Sequence, residues 1–358
     1  MADAGTKSWS WRALLPDMSA ALTRFPLGVA IAALLTLYML YDSRSGDTEQ
    51  RIVEGLGASF AWVVAADLYV ESQGRARLTR LLLWLAGVAV IALLFAFAWK
   101  LWLAPFLLSA AFVLLIGLAG HLARGERNAS FWLFNQRLWL GGVIALVGAV
   151  LLGSGLSAIV ETLNLLFGLA LPWRLHNDIW TIALGFVAPV SWLAFAPRSF
   201  TEPLSQAHET EFTTRAVASI VKFVLVPLLL VYTAILYAYT VKIALEGSLP
   251  KGTLGSLVVG YLLTGAATLL LAYPIRETGG ALVRLFWRSW VWLALMPVLL
   301  LFLAAYTRIE AYGLTEQRYL FVLVGVWALI LALLRIVFPH NFDLRLAPLV
   351  LALLIFSA

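Results

Sequence analysis

From Phe25 onward the chain is a succession of long apolar runs separated by short polar connections. Wound as helices at about 1.5 Å per residue, runs of about 17–25 apolar residues match the ~30 Å hydrocarbon core of a bilayer. Lipid supplies no hydrogen-bond partners, so a spanning segment must satisfy its own backbone, which leaves helices and closed barrels. A barrel would alternate apolar and polar residues in segments of about ten. These runs are continuous instead. The expected fold class is therefore all-α, a polytopic transmembrane helical bundle.

The runs fall near 25–41, 56–72, 79–99, 101–120, 138–156, 178–196, 217–241, 254–274, 289–306 and 319–338, and a last one starts near Leu344. That predicts about ten complete spans plus a C-terminal eleventh. The eleventh is short of a full crossing and ends at Ser357-Ala358 without a polar anchor, so the natural chain is expected to continue, with a soluble C-terminal portion beyond residue 358. Residues 1–24, with Trp9, Trp11 and Arg12, read as a cytoplasmic interfacial tail, and 25–155 as the first five transmembrane helices. Residues 156–177 read as an outer interfacial helix and loop. There Glu161, Thr162 and Asn164 stand on one side and Ile159, Leu163, Leu166 and Phe167 on the other, the pattern of a helix in the interface or of the bent end of the fifth span. Residues 178–358 then hold the last six transmembrane helices.

Charge orients the bundle. Only 12% of residues are charged. With the N-terminus in the cytoplasm, the 25 basic residues divide roughly two to one in favour of the inner side, as Lys and Arg near helix ends resist crossing. A multi-pass membrane protein with its N-terminus in the cytoplasm is expected, with membrane lipids as the first partners and envelope proteins as further ones. The basic surplus is accounted for by the loops, so no nucleic-acid partner is expected. The absence of cysteine excludes disulfides, thiolate metal sites and cysteine nucleophiles.

Few positions carry chemistry. Asp67 is the one acid well inside an apolar run; a carboxylate there costs about 2.5–3.5 kcal/mol on insertion scales and should face the bundle interior or water. Glu71 and Arg75 share its helix face and are expected to pair, with Asp67 hydrated near Arg75 or Arg77, bonded to another helix, or serving as an ion relay. Gly260, Thr264 and Thr268, with Gly265 beside them, suggest a close helix contact. Pro227, Pro274 and Pro297 predict kinks. His121, His176, His208 and His340 lie in separate loops, so neither a metal site nor a cofactor is expected; no phosphate-binding loop or nucleophile elbow is present.

Polar residues are densest at the outward ends of the late spans: Lys242, Lys251, Arg308, Glu310, Tyr312, Glu316, Arg318 and Tyr319. Together they form a candidate outer-face site for an anion or a lipid phosphate, with Arg308 the residue of greatest interest and Glu310 its expected partner. The alternative is an aromatic belt with salt-bridged helix caps, Gly313 ending one helix and Thr315 capping the next.

These stretches carry a resemblance. Lys222-Phe-Val-Leu-Val-Pro227-Leu-Leu-Leu-Val-Tyr232, Tyr237-Ala-Tyr239-x2-Lys242, Leu249-Pro250-Lys251-Gly252 and Tyr273-Pro274 recur in order, followed by Arg308-Ile-x-x-Tyr312-Gly313-Leu314-Thr315-Glu316-x-Arg318-Tyr319. With Leu165-Leu166-Phe167 they resemble the bacterial inner-membrane family called domain of unknown function 4153. The match runs from about Leu156 to the end, the first half sharing only the rhythm of spans. The resemblance implies a multi-span inner-membrane protein, often continued by a hydrophilic C-terminal portion, and no activity. Three functions fit: a transporter or flippase-like protein for a small solute or envelope lipid, a non-catalytic envelope scaffold or sensor, and the membrane anchor of an enzyme acting on a lipid-linked substrate, with Glu310 or Glu316 as base.

Overall fold

The computed structural model describes residues 18–41, 46–97, 104–122, 128–167, 171–202, 217–246, 254–338 and 342–357. All regular structure among these residues is helical. Eight helices are long and apolar enough to cross a membrane: Asp47–Gln73, Arg77–Phe97, Asn128–Leu166, Arg174–Phe195, Val217–Glu246, Leu254–Ile275, Ala281–Tyr312 and Glu316–Val337. Each coincides with an expected span. The other three expected spans are shorter apolar helices, Pro26–Tyr41, Ala104–Ala119 and Leu346–Phe356. The chain is a multi-span helical membrane protein, with eight long apolar helices among the described residues. Large side chains such as Leu85, Leu151, Phe223 and Leu299 project outward, as a surface in contact with lipid requires and a water-facing surface of this size would not tolerate.

The helix beginning at Asn128 runs 40 residues, to Phe167, roughly 60 Å. Residues 156–167 are its last turns and not a separate element. The polar side chains there serve the chain locally: Thr162 Oγ1 donates to the Ala158 carbonyl at 2.8 Å, and Asn164 Oδ1 accepts the Leu171 N–H at 2.8 Å. Two of the long helices contain a wider i→i+5 turn, at Ala183–Val187 and Val221–Leu225. Each lies just before a proline, Pro189 and Pro227. A proline ring collides with the carbonyl four residues back and lacks an N–H to bond it, and the wider turn absorbs both defects. Pro274 sits in a 3₁₀ turn, Tyr273–Ile275, and the helix through Pro297 stays continuous.

The chain forms two compact units that are not consecutive halves: Met1–Trp99 with Phe134–Phe200, and Lys100–Leu133 with Thr201–Ala358. In the first, Asp47–Gln73 and Arg77–Phe97 form a helical hairpin. Gly74, at φ 60°, reverses the chain, and the N–H groups of Gly74 and Arg75 close the helix end on the carbonyls of Glu71 and Val70. This is the residue type that adopts a left-handed turn without a Cβ penalty. Across the hairpin Gly87 admits the indole of Trp62, whose Nε1 donates to the Leu83 carbonyl at 2.8 Å. A Cβ at Gly87 would stand 1.7 Å from that nitrogen. Gly87→Ala is therefore expected to destabilise the protein by about 1–3 kcal/mol through overpacking, seen as a lower unfolding midpoint in detergent; a midpoint equal to wild type would mean the hairpin opens freely.

The second unit has its core between Val217–Glu246, Leu254–Ile275, Ala281–Tyr312 and Glu316–Val337, around Val221, Val258, Leu262, Phe286 and Leu301. Thr233 and Tyr261 share a buried hydroxyl–hydroxyl hydrogen bond of 2.8 Å. The close contact expected from Gly260, Thr264 and Thr268 is made differently. Gly260 meets nothing, Thr264 is exposed, and Gly265 receives the Trp290 ring, 2.2 Å from where a Cβ would stand. Thr268 alone of the three is buried. Between apolar helices in lipid such close packing, and not water release, supplies the attraction.

Candidate functional site

Asp67 is buried between helices of the first unit, 4% exposed. Its Oδ1 accepts from Arg80 Nε at 2.7 Å and from Trp84 Nε1 at 2.9 Å. Arg80 and Trp84 lie one turn apart on the returning arm of the hairpin, so both donors reach the same oxygen. Arg80 Nη2 also donates to the Arg24 carbonyl at 2.6 Å. Arg24 in turn bonds Glu71 at 2.9 Å and the carbonyls of Ala196 and Pro197, each at 2.6 Å. Glu71 thus pairs with Arg24 and not with Arg75, whose guanidinium lies over the Tyr69 ring. Hydration near Arg75 or Arg77 gives way to an interhelical ion pair, because the tight turn at Gly74 brings Arg80 alongside.

The outward cluster is looser than its sequence suggests. Lys251 lies outside the described residues. Lys242 is exposed and pairs with Glu246 one turn on, at 3.7 Å. Glu310 and Glu316 are exposed, and Arg308 forms no ion pair with Glu310 among the described residues. Residues two apart on a helix point in divergent directions, which is why the expected pair is not made. Gly313 does end its helix, at φ 76°. Thr315 makes no side-chain cap; Arg318 Nη1 instead donates to the Gly313 carbonyl. Tyr319 packs on the apolar group of Leu107, Leu323 and Ile355. What the structure brings together is Arg308, Arg318 and Tyr312, with the guanidiniums 6.0 and 5.6 Å from the ring centre. The two arginines, with Gln317 and Phe321, line a cavity of ≈ 150 Å³. Glu310→Gln is accordingly expected to shift stability by less than about 0.5 kcal/mol, checked by thermal unfolding; a loss comparable to that of Arg308→Lys would restore the internal pair.

A larger site lies at the other end of the same helix bundle. Arg284 and Arg288 stand one turn apart near the start of Ala281–Tyr312, Arg276 follows the 3₁₀ turn, and Arg335 ends Glu316–Val337. Among the described residues these four arginines and one acid, Glu277, border a cavity of ≈ 540 Å³. Glu277 is mostly solvent-exposed and lies 3.4 Å from Arg276, whose guanidinium also covers the Tyr273 ring at 4.3 Å. Arg335 is held by aromatic faces, Trp287 at 4.8 Å and Phe342 at 5.3 Å. Asn128 fixes Phe342 by donating to its carbonyl and accepting the Leu344 N–H, both at 2.9 Å. Below Arg335 the lining changes: Trp290, Ala294, Trp327, Leu331 and Ala347 border an apolar cavity of ≈ 40 Å³ that shares Trp287, Arg335 and Phe342 with the cationic one. Trp327 spends its N–H on the Ala347 carbonyl at 2.9 Å, which leaves an apolar ring face. In the sequence these arginines read only as charges that orient the helices. The available signal was Arg284-x3-Arg288, like charges on one helix face, which repel unless an anion joins them.

Among the described residues no group of three or more His, Asp or Glu side chains has the arrangement to hold a metal ion.

The family model described as Domain of unknown function (DUF4153) matches residues 28–358. The match reaches well before Leu156, so the early spans belong to the family region as much as the late ones do. Uncharacterized protein PM1469 of Pasteurella multocida (strain Pm70) is 28% identical over 208 residues, covering 57% of this chain and 34% of the relative. The chain thus spans about a third of the length of the curated relative it matches. No solved structure matches. With nearly its whole length inside the family region and eight helices able to cross a bilayer, this chain is a multi-span membrane protein of the DUF4153 family.

Proposed function

We propose that the protein is a flippase-like transporter that moves an anionic envelope lipid across the bacterial inner membrane. One observation carries this reading. The Ala281–Tyr312 helix has arginine-lined cavities at both ends, with Arg284 and Arg288 at one and Arg308 at the other. The 20 residues from Arg288 to Arg308 span about 30 Å as a helix, the thickness of the hydrocarbon core. An anionic headgroup therefore has a cationic station at each interface on the same helix, and the apolar faces between them suit its chain. In this reading the three shorter apolar helices also cross, which gives about ten complete spans and a C-terminal eleventh. The N-terminus is cytoplasmic, and the four-arginine cavity opens inward.

The test is reconstitution into liposomes with a trace of fluorescent anionic lipid, single-chain lipid phosphates as well as phospholipids, followed by quenching from outside. The expected result is a faster loss of inner-leaflet signal than in protein-free vesicles, reduced in Arg308→Gln. Equal rates with and without protein, across anionic lipids of several headgroups, would sink the transport reading.

A further inference from the structure

We infer that the cavity around Arg335 is the binding site for a phosphate monoester or diphosphate carried on a single apolar chain. The inference deepens the lipid reading above and rests on it for the biological setting. Its support is the environment of Arg335. That side chain is partly buried and makes no ion pair or hydrogen bond with any described residue, its contacts being the rings of Trp287 and Phe342. A guanidinium removed from water without a carboxylate is costly, and a bound anion offsets that cost. Aromatic faces hold the group in place while leaving its planar fork free for paired oxygens, the geometry in which arginine recognises phosphate.

Charge selects the headgroup. Among the described residues four arginines face one acid, Glu277, which is already engaged with Arg276. Arg284 and Arg288 add a repelling i,i+4 pair that a multiply charged ligand relieves. A phosphate monoester carries about −1.5 to −2 at neutral pH and a diphosphate more, whereas a phosphodiester carries a single charge, cancelled in a zwitterionic lipid. The cationic cavity of ≈ 540 Å³ also leaves room for a substituent beyond the phosphate.

The apolar cavity selects the chain. It meets the cationic one at Trp287, Arg335 and Phe342, so a ligand whose phosphate reaches Arg335 directs its next atoms into a space lined by Ala294, Leu331 and Ala347. That space, ≈ 40 Å³, holds about three water-sized groups. It admits the first carbons of one chain and not of two side by side. Free inorganic phosphate would use the arginines alone; an amphiphile uses both compartments.

The experiment measures binding to the full chain in neutral detergent, using monoacylglycerol phosphate, monoacyl phosphatidylcholine of the same chain length, and inorganic phosphate as probes. The phosphomonoester amphiphile is expected to bind at least about tenfold tighter than either comparison probe. Arg335→Gln and Arg288→Gln should each weaken it by about tenfold, while Arg77→Gln, an exposed arginine elsewhere, leaves it unchanged. Ala294→Phe should weaken the amphiphile and spare inorganic phosphate. Arg288 is exposed, so its variant reports on binding even if the Arg335 variant folds poorly. Equal affinity for inorganic phosphate would overturn the chain assignment, equal affinity for the zwitterion would overturn the headgroup assignment, and indifference to Arg288→Gln would overturn the site. Selective binding without lipid movement in liposomes would leave this inference standing and remove the transport reading; movement without selective binding would do the reverse.

Discussion

Arg80→Leu is expected to destabilise the protein by about 3–5 kcal/mol, the usual cost of removing one partner from a buried ion pair. The Asp67 side chain is 2% exposed and would keep only the neutral Trp84 donor. The Arg24 carbonyl would lose its Arg80 bond in the same step. Arg80→Lys keeps the charge but presents no fork that serves Asp67 and Arg24 together, so about half of the loss is expected to remain. The double variant Asp67→Leu with Arg80→Leu should recover most of the stability, since an apolar pair of similar volume removes both desolvation penalties. The coupling between the two sites is then about 2 kcal/mol or more. Unfolding in detergent with a chemical denaturant measures all four corners of the cycle. Additive effects would mean that water reaches Asp67 and that the pair contributes little.

The same cycle separates structure from ion relay. Asp67→Asn preserves an oxygen for Arg80 and Trp84 while removing the proton site. If the double leucine variant retains lipid movement, Asp67 holds helices together and does not carry ions, because no titratable group remains there.

The spans were legible because bilayer thickness imposes a length on apolar runs, and eight of those runs coincide with long helices. Their ends were not, because helices outlast their apolar parts. Ala281–Tyr312 begins with about two turns that carry Arg284 and Arg288, and Asn128–Phe167 continues through Glu161, Thr162 and Asn164. Asp67 is recognisable as a costly acid and a bond to another helix is among its expected roles, yet the apolar pattern does not single out Arg80 as the partner. The register around Gly74 held the answer: Asp67 lies seven residues before the turn and Arg80 six after it, which places them side by side in an antiparallel hairpin. The outward cluster shows the converse. Residues close in sequence, such as Arg308 and Glu310, diverge on a helix, whereas the four-arginine cavity gathers Arg276, Arg284, Arg288 and Arg335 from three segments. Only tertiary packing brings those together, and only the i,i+4 arginine pair marked the place.

Asn128→Leu is expected to cost about 2–4 kcal/mol and to weaken ligand binding at Arg335 as well. Asn128 is the first residue of its helix, and its amide bonds both the Phe342 carbonyl and the Leu344 N–H. Leucine would strand a donor and an acceptor in a partly buried place, each at about 1–3 kcal/mol before local relaxation. The same turn is held from its other side by Arg345, whose Nε lies 2.9 and 2.8 Å from the two Asp343 oxygens and whose Nη1 donates to the His121 carbonyl at 2.7 Å. With that second clasp intact, the chain should still fold, and the loss should concentrate at Phe342. Its ring is one of the two faces that position Arg335, so a displaced ring lets the guanidinium turn away from the cavity. Asn128→Asp distinguishes the two contributions: it retains the acceptor for Leu344 but brings a negative charge to the cavity wall. It should therefore lose less stability than Asn128→Leu and more affinity for a phosphomonoester. Unfolding midpoints and amphiphile binding measured on the same preparations decide it, and an Asn128→Leu protein that melts earlier yet binds as wild type would show that Phe342 does not orient Arg335.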